Sequence, residues 1–213
     1  MKKRIFWFSC IVLAAVFASC TKNDETTIVP VGSESYIEEI LQVIPDSTKQ
    51  AFDLVVGTFP QGAIPPKIEG AFVVSPKQRV ASSIENWPLN PADPEVDVNM
   101  DFYDQHNGVV TVKLTEVQEQ VTDTAFVMGT GNDFTLYFIE NKGYEVEATN
   151  ATYHVSMKRG VVMKGRVTDD GIRDLYMAVV ILAVEDDSNG VLPEYEPGTY
   201  FIYKDGDGMA SRR

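Results

Sequence analysis

The chain has little of what a metal or redox centre needs. It carries two cysteines and two histidines in 213 residues. Those counts exclude a disulfide scaffold and a His/Cys zinc cluster. Basic residues are also scarce: 18 Lys and Arg stand against 31 Asp and Glu, a formal net charge of -13. Such a balance does not suit nucleic acid, whose phosphates are met by Lys and Arg. No apolar run reaches the ~20 residues of a bilayer-spanning helix. There is no Gly-x-Ser-x-Gly nucleophile elbow, no phosphate-cradling glycine loop and no pair of histidines at ligand spacing. Internal repeats and low-complexity stretches are missing too. What remains is 44% apolar residues, enough for one domain that hides roughly 70% of its unfolded surface.

The first twenty residues have the layout of an export signal. Lys2, Lys3 and Arg4 precede an apolar stretch from Ile5 to Phe17, broken only by Ser9. The stretch ends Phe17-Ala18-Ser19-Cys20, which resembles the lipobox of bacterial lipoproteins. That resemblance implies cleavage after residue 19 and acylation of Cys20 with a diacylglycerol and an amide-linked chain such as palmitate. At about 0.8 kcal/mol per buried CH₂, two or three chains hold the protein at a membrane. Losing three basic residues takes the net charge from -13 to -16. Anionic membrane surfaces repel such a chain, so the lipid must supply the attachment. Lys22-Asn23-Asp24-Glu25 resembles the surface-export signal of Bacteroidetes lipoproteins, with Asn23 intervening. Residues 20–34 read as a lipidated flexible tether.

Residues 35–58 read as a helical hairpin or bent helix. Ser35 and Glu38 have capping-box spacing, and Ile37, Ile40, Leu41 and Ile44 fall on one helix face. Pro45 ends that pattern, and Phe52, Val55 and Val56 resume it. Its apolar face must cover a side or end of the sheet that follows. Residues 59–67, with Pro60, Gly62, Pro65 and Pro66, form an extended linker.

From residue 68 to 213 the period is two. Val96, Val98, Met100 and Phe102 alternate with polar residues, Asn107-Gly108 marks a hairpin, and Val110, Val112 and Leu114 return. Further strands are expected over residues 124–129, 133–140, 144–157, 161–168 and 199–204. Turns are expected at Gly131-Asn132, Asn141-Lys142-Gly143, Arg159-Gly160 and Asp170-Gly171. Leu175 to Val184 is an unbroken apolar run, the mark of a strand buried on both faces. Nine or ten strands at close spacing predict a mainly β fold, an antiparallel barrel or a β-sandwich. Meander connectivity favours the barrel.

Three stretches resemble a group of Bacteroidetes outer-membrane lipoproteins with a lipocalin-like β-barrel and no assigned activity. They are residues 68–76 (Ile-Glu-Gly-Ala-Phe-Val-Val-Ser-Pro), Gly171-Ile172-Arg173-Asp174-Leu175-Tyr176, and Pro197-Gly198-Thr199-Tyr200 with residues 204–208. The resemblance implies the fold and an outer-membrane location, facing the surface or the periplasm. It implies no substrate. In the same phylum O-glycans are attached at Asp-Ser/Thr motifs, which Ser47 in Asp46-Ser47-Thr48 and Thr124 in Asp123-Thr124-Ala125 match.

Candidates for chemistry are few. Asp205 and Asp207, on the glycine-rich turn Asp205-Gly206-Asp207-Gly208, are the most metal-like pair. With Glu185-Asp186-Asp187 nearby they would suit weakly bound calcium. Ser75 and Ser156 each precede a lysine by two residues, Lys77 and Lys158, but both lysines are expected at turns, hydrated and charged. His106 and His154 stand far apart on polar positions. Trp87 lies in a proline-rich loop, placed to close a barrel mouth or to touch a ligand. The expectation is therefore a non-catalytic, lipid-anchored β-barrel without a required cofactor, binding a small apolar ligand or a glycan. An accessory subunit of an outer-membrane complex is the alternative, and a carboxylate-dependent hydrolase comes last.

Overall fold

The computed structural model describes residues 57, 60, 62, 64–84, 96–116, 119–148, 151–185 and 195–213. The expected signal, tether and helical segment lie outside the described residues, Gly57 excepted. So do Cys20, Ser47 and Trp87. Ten strands follow: β1 (Gly70–Val74), β2 (Lys77–Ser82), β3 (Val98–His106), β4 (Val109–Glu116), β5 (Glu119–Thr130), β6 (Asp133–Ala148), β7 (Ala151–Val167), β8 (Gly171–Glu185), β9 (Tyr200–Asp205) and β10 (Met209–Arg212).

All ten belong to one antiparallel sheet. From β3 to β8 each strand pairs with the next, as a meander does. The two ends of the chain then close it. β1 and β2 are halves of one strand bent at Ser75-Pro76, and β9 and β10 are halves of another bent at Gly206–Gly208. β10 pairs with both β1 and β8, so the ladder runs from β1 through β3 to β8, on to β10 and back. β9 pairs with β8 further along the same edge and carries β2 beyond it.

The alternating pattern explains why one face turns inward. Phe72, Val74, Val98, Met100, Phe102, Val110, Val112, Phe134, Leu136, Phe138, Val161 and Met163 all belong to the larger apolar cluster. Each is at most 4% exposed. Burying each of these side chains contributes about 1.5–3 kcal/mol. The Phe72 and Phe102 rings meet at 5.9 Å in a tilted pair. A second cluster lies on the opposite face of β6 to β9: Tyr137, Ile139, Val162, Ala178, Val180, Leu182, Tyr200 and Ile202. The chain before β1 crosses this side. The Thr135 hydroxyl donates to the Pro60 carbonyl, and the Gly129 N–H donates to the Gly62 carbonyl. Burial on both faces explains the unbroken apolar run of β8, where residues 177–182 are all buried.

Asn107 and Gly108 form the expected hairpin turn, with φ of 49° and 73°. Positive φ at both central residues matches the twist of the flanking strands. Two other expected turns are corrected. β6 runs straight through Asn141-Lys142-Gly143, and β7 runs through Arg159-Gly160, giving a hairpin of two long strands. Gly160 pairs with Ile139 on one side and Val180 on the other. Ladder bonds on both sides outweigh a local turn preference. The last strand is also not β9: Met209–Arg212 adds β10, which closes the ring.

Closure depends on a close backbone approach. A Cβ on Gly171 would come within 2.2 Å of the Ala210 carbonyl oxygen across the β8–β10 ladder. Gly171→Ala should lower unfolding free energy by about 1–3 kcal/mol. Gly143→Ala, where a Cβ meets nothing within 4 Å, should leave it unchanged. Urea titration of both variants measures this, and equal midpoints would contradict the closure described.

Candidate ligand-binding site

The inner face does not stay apolar along its whole length. On β6 the inward series Phe134, Leu136, Phe138 continues as Glu140 and Lys142. On β4 Val110, Val112 and Leu114 are followed by Glu116. Arg159 on β7 pairs in register with Glu140, and Lys77 and Arg79 on β2 lie opposite Asp205 and Tyr203. These charges form a layer at one end of the inner face, next to its apolar residues.

The layer is knitted across strands that are not neighbours. Lys77, only 6% exposed, reaches Glu116 Oε1 at 2.5 Å. Lys142 approaches the other oxygen of Glu116 at 4.0 Å. The Lys77 ammonium lies 4.8 Å from the Tyr203 ring centroid, and the Arg79 guanidinium lies 6.0 Å from that of Phe201. Cations over ring faces are favourable when water is excluded. Glu140 is 2% exposed and takes a hydrogen bond from Arg159 through Oε1. Its other oxygen, Oε2, is buried and has no hydrogen-bond partner within the protein. A buried polar atom left this way costs free energy that a suitable donor would recover.

The other expected sites are placed as follows. Asp205 is 2% exposed. Its carboxylate accepts N–H bonds from Ser75 at 3.1 Å, and from Asp207 and Met209 at 3.2 Å each. It therefore joins the bend in the first strand to the bend in the last. Asp207 accepts from Met209 at 2.9 Å. Glu185, the first residue of the second acidic run, does not meet this turn. Tyr176 pairs with Lys204, so Glu185 lies about 30 Å further along β8 at ~3.3 Å per residue. Asp186 and Asp187 lie outside the described residues. Among the described residues no group of three or more His, Cys, Asp or Glu is arranged to hold a metal ion. Thr124 is exposed on β5, with its N–H bonded to the Asp123 carboxylate at 2.7 Å.

His106 is exposed and bonds the Asp104 carbonyl oxygen at 2.7 Å. His154 is exposed and lies 3.6 Å from Glu145. Lys77 and Lys158 are not at hydrated turns. Lys77 is buried in the charged layer, and Lys158 is half-buried in the middle of β7. The signal for the layer was present in the sequence: a charge at a position whose parity belongs to the apolar face of a strand. Glu116, Glu140, Lys142 and Arg159 all carry it. The turns expected at Asn141-Lys142-Gly143 and Arg159-Gly160 concealed Lys142 and Arg159.

Comparison with family models, with characterised proteins and with solved structures found no match. The chemistry must therefore be argued from these side chains.

The Asp205 turn yields a test of its own. Burial, and then the neighbouring Asp207, push the Asp205 carboxyl up to about 6, while Asp207 is held below its ordinary value by the same contact. The folded state thus keeps a proton that the unfolded chain has already released. Stability from Asp205 should fall as pH rises from about 4 to about 6 and stay level above that. The Asp207 term acts lower, being lost as pH drops below about 4. Asp205→Ala should flatten the slope between pH 4 and 6. It should also cost about 1–3 kcal/mol by orphaning buried N–H groups. Thermal midpoints across that range, wild type against variant, check both.

Proposed function

We propose that the chain is a lipid-anchored outer-membrane lipoprotein with a lipocalin-like β-barrel that binds a small hydroxylated ligand, a glycan being the class that fits best. The observation that carries this reading is the buried charged layer with its unpartnered Glu140 Oε2. A hydroxyl donates the hydrogen bond that this oxygen lacks, and the paired cations and carboxylates around it match a ligand rich in donors and acceptors. Ligand sites of this kind combine an apolar floor with a few convergent polar groups.

An apolar ligand fits less well. The apolar half of the inner face is filled by the protein's own side chains, with Phe72, Phe134 and Phe138 at 0% exposure. Binding is favoured over catalysis because Glu116 and Glu140 are each committed to a cation. Membrane attachment rests on the Cys20 motif, and the barrel assignment on the closed ladder.

Two measurements test this. Mature protein, purified gently, should retain signals on an array of bacterial and host glycans, and native mass spectrometry should show a mass increment matching the ligand. A blank array and a clean apo mass would overturn the binding role and turn attention to protein partners. Separately, Cys20→Ala should abolish palmitate incorporation and move the protein out of the membrane fraction. Retention of both would overturn the lipid anchor.

A further inference from the structure

The wall of the ring divides beside Glu140. The β5–β6 ladder runs from the Thr130–Asp133 pair to the Phe126–Tyr137 pair and stops. Both strands continue: β5 stays paired with β4 to Glu119, and β6 stays paired with β7 to Ala148. Residues 119–125 and 138–148 therefore continue with no ladder between them. The sequence disfavours a longer ladder here. Extending the register would set Asp123 directly opposite Glu140, both on the inner side, since Asp123 pairs with the core residue Val112. Like charges directly opposed on one face destabilise a strand pair. Burial already raises the Asp123 carboxyl above its ordinary range, so bringing it closer to a second buried carboxylate is unfavourable. Lys142 spans this division from within, pointing to Glu116 on β4.

We infer that the gap between β5 and β6 is the ligand subsite, and that Glu140 Oε2 accepts a hydrogen bond there from a hydroxyl of a neutral, polyhydroxylated ligand such as a pyranose. The inference deepens the reading that the charged layer binds a ligand and rests on it. Neutrality follows from balance: Arg159 pairs with Glu140 and Lys142 approaches Glu116, so the charges of the layer already offset one another and leave no net charge for an ionic ligand to match. A hydroxyl donor satisfies the buried oxygen at no charge cost.

The test uses mature lipoprotein in a detergent without a sugar headgroup, with glucose, glucosamine and glucuronate as probes, one ring bearing three charges. Saturation-transfer NMR should show contact with glucose and little with the other two. Hydrogen exchange should slow on glucose addition in residues 119–125 and 138–143. Glu140→Gln, which keeps the shape but presents an amide donor, should weaken glucose binding about tenfold or more, with its melting midpoint recorded to separate folding from binding. Val121→Trp, which breaks no ion pair and fills the gap from β5, should weaken it as well and decides the matter should Glu140→Gln not fold. Wild-type affinity in both variants, protection elsewhere in the chain, or a preference for a charged probe would overturn this subsite while leaving ligand binding standing. No contact with any of the three probes, on a protein that the glycan array shows to bind other sugars, would overturn the pyranose assignment. No sugar binding in either experiment would overturn the broader reading.

Discussion

Asp205 holds the ends of the sheet together. Its buried carboxylate accepts N–H bonds from Ser75, at the bend of the first strand, and from Asp207 and Met209, at the bend of the last. The bends divide each strand into two segments with different partners. With them, β1 reaches β3 and β10 while β2 turns to β9. On the other edge β8 is shared between β10 and β9. Pairing β10 with β8 covers backbone edges that would otherwise present unpaired N–H and C=O groups to other chains. A carboxylate suits this place because it offers several lone pairs to backbone donors that converge from two bends. Its cost is desolvation, which its raised protonation range records.

Closure sets which face is inside, and the inside is of two kinds. One half is packed by phenylalanine, methionine and branched aliphatic side chains at low exposure. The other half holds ion pairs joining β2, β4, β6 and β7. Buried ion pairs are weak evidence of stability, because removing the charges from water costs about as much as their attraction returns. A packed apolar layer at the same place would serve the fold as well. That a strongly acidic chain places lysines and arginines inside, with a carboxylate oxygen left unmatched, is what supports the proposed binding role.

Much of the architecture was legible from alternation and turn chemistry. Asn107-Gly108, the β3–β4 pattern and the doubly buried β8 follow from period and punctuation alone. The errors share one cause. Asn141-Lys142-Gly143 and Arg159-Gly160 look like turns locally, yet each lies where ladder pairing and an inward ion pair keep the strand extended. A residue's spatial partners, absent from a one-dimensional reading, decided both. The same holds for the role of Asp205 and Asp207 as acceptors of backbone N–H groups at a bend. Parity alone marked the inner charges, since Glu116 and Glu140 interrupt apolar series on their own strands.

The split between β5 and β6 joins these threads. A ladder lost over several residues weakens the sheet, and nothing in local propensity requires it: residues 121–126 are as suited to a strand as the rest of β5. The obstacle is the opposition of Asp123 and Glu140 on the inner side, and either residue as valine or threonine would remove it. The ladder ends where both charges would meet, and Glu140 keeps one oxygen without a hydrogen-bond partner. Two separate costs at one position are difficult to attribute to folding, which gains from neither. They are consistent with a site where the wall must stay open and a buried acceptor must stay available.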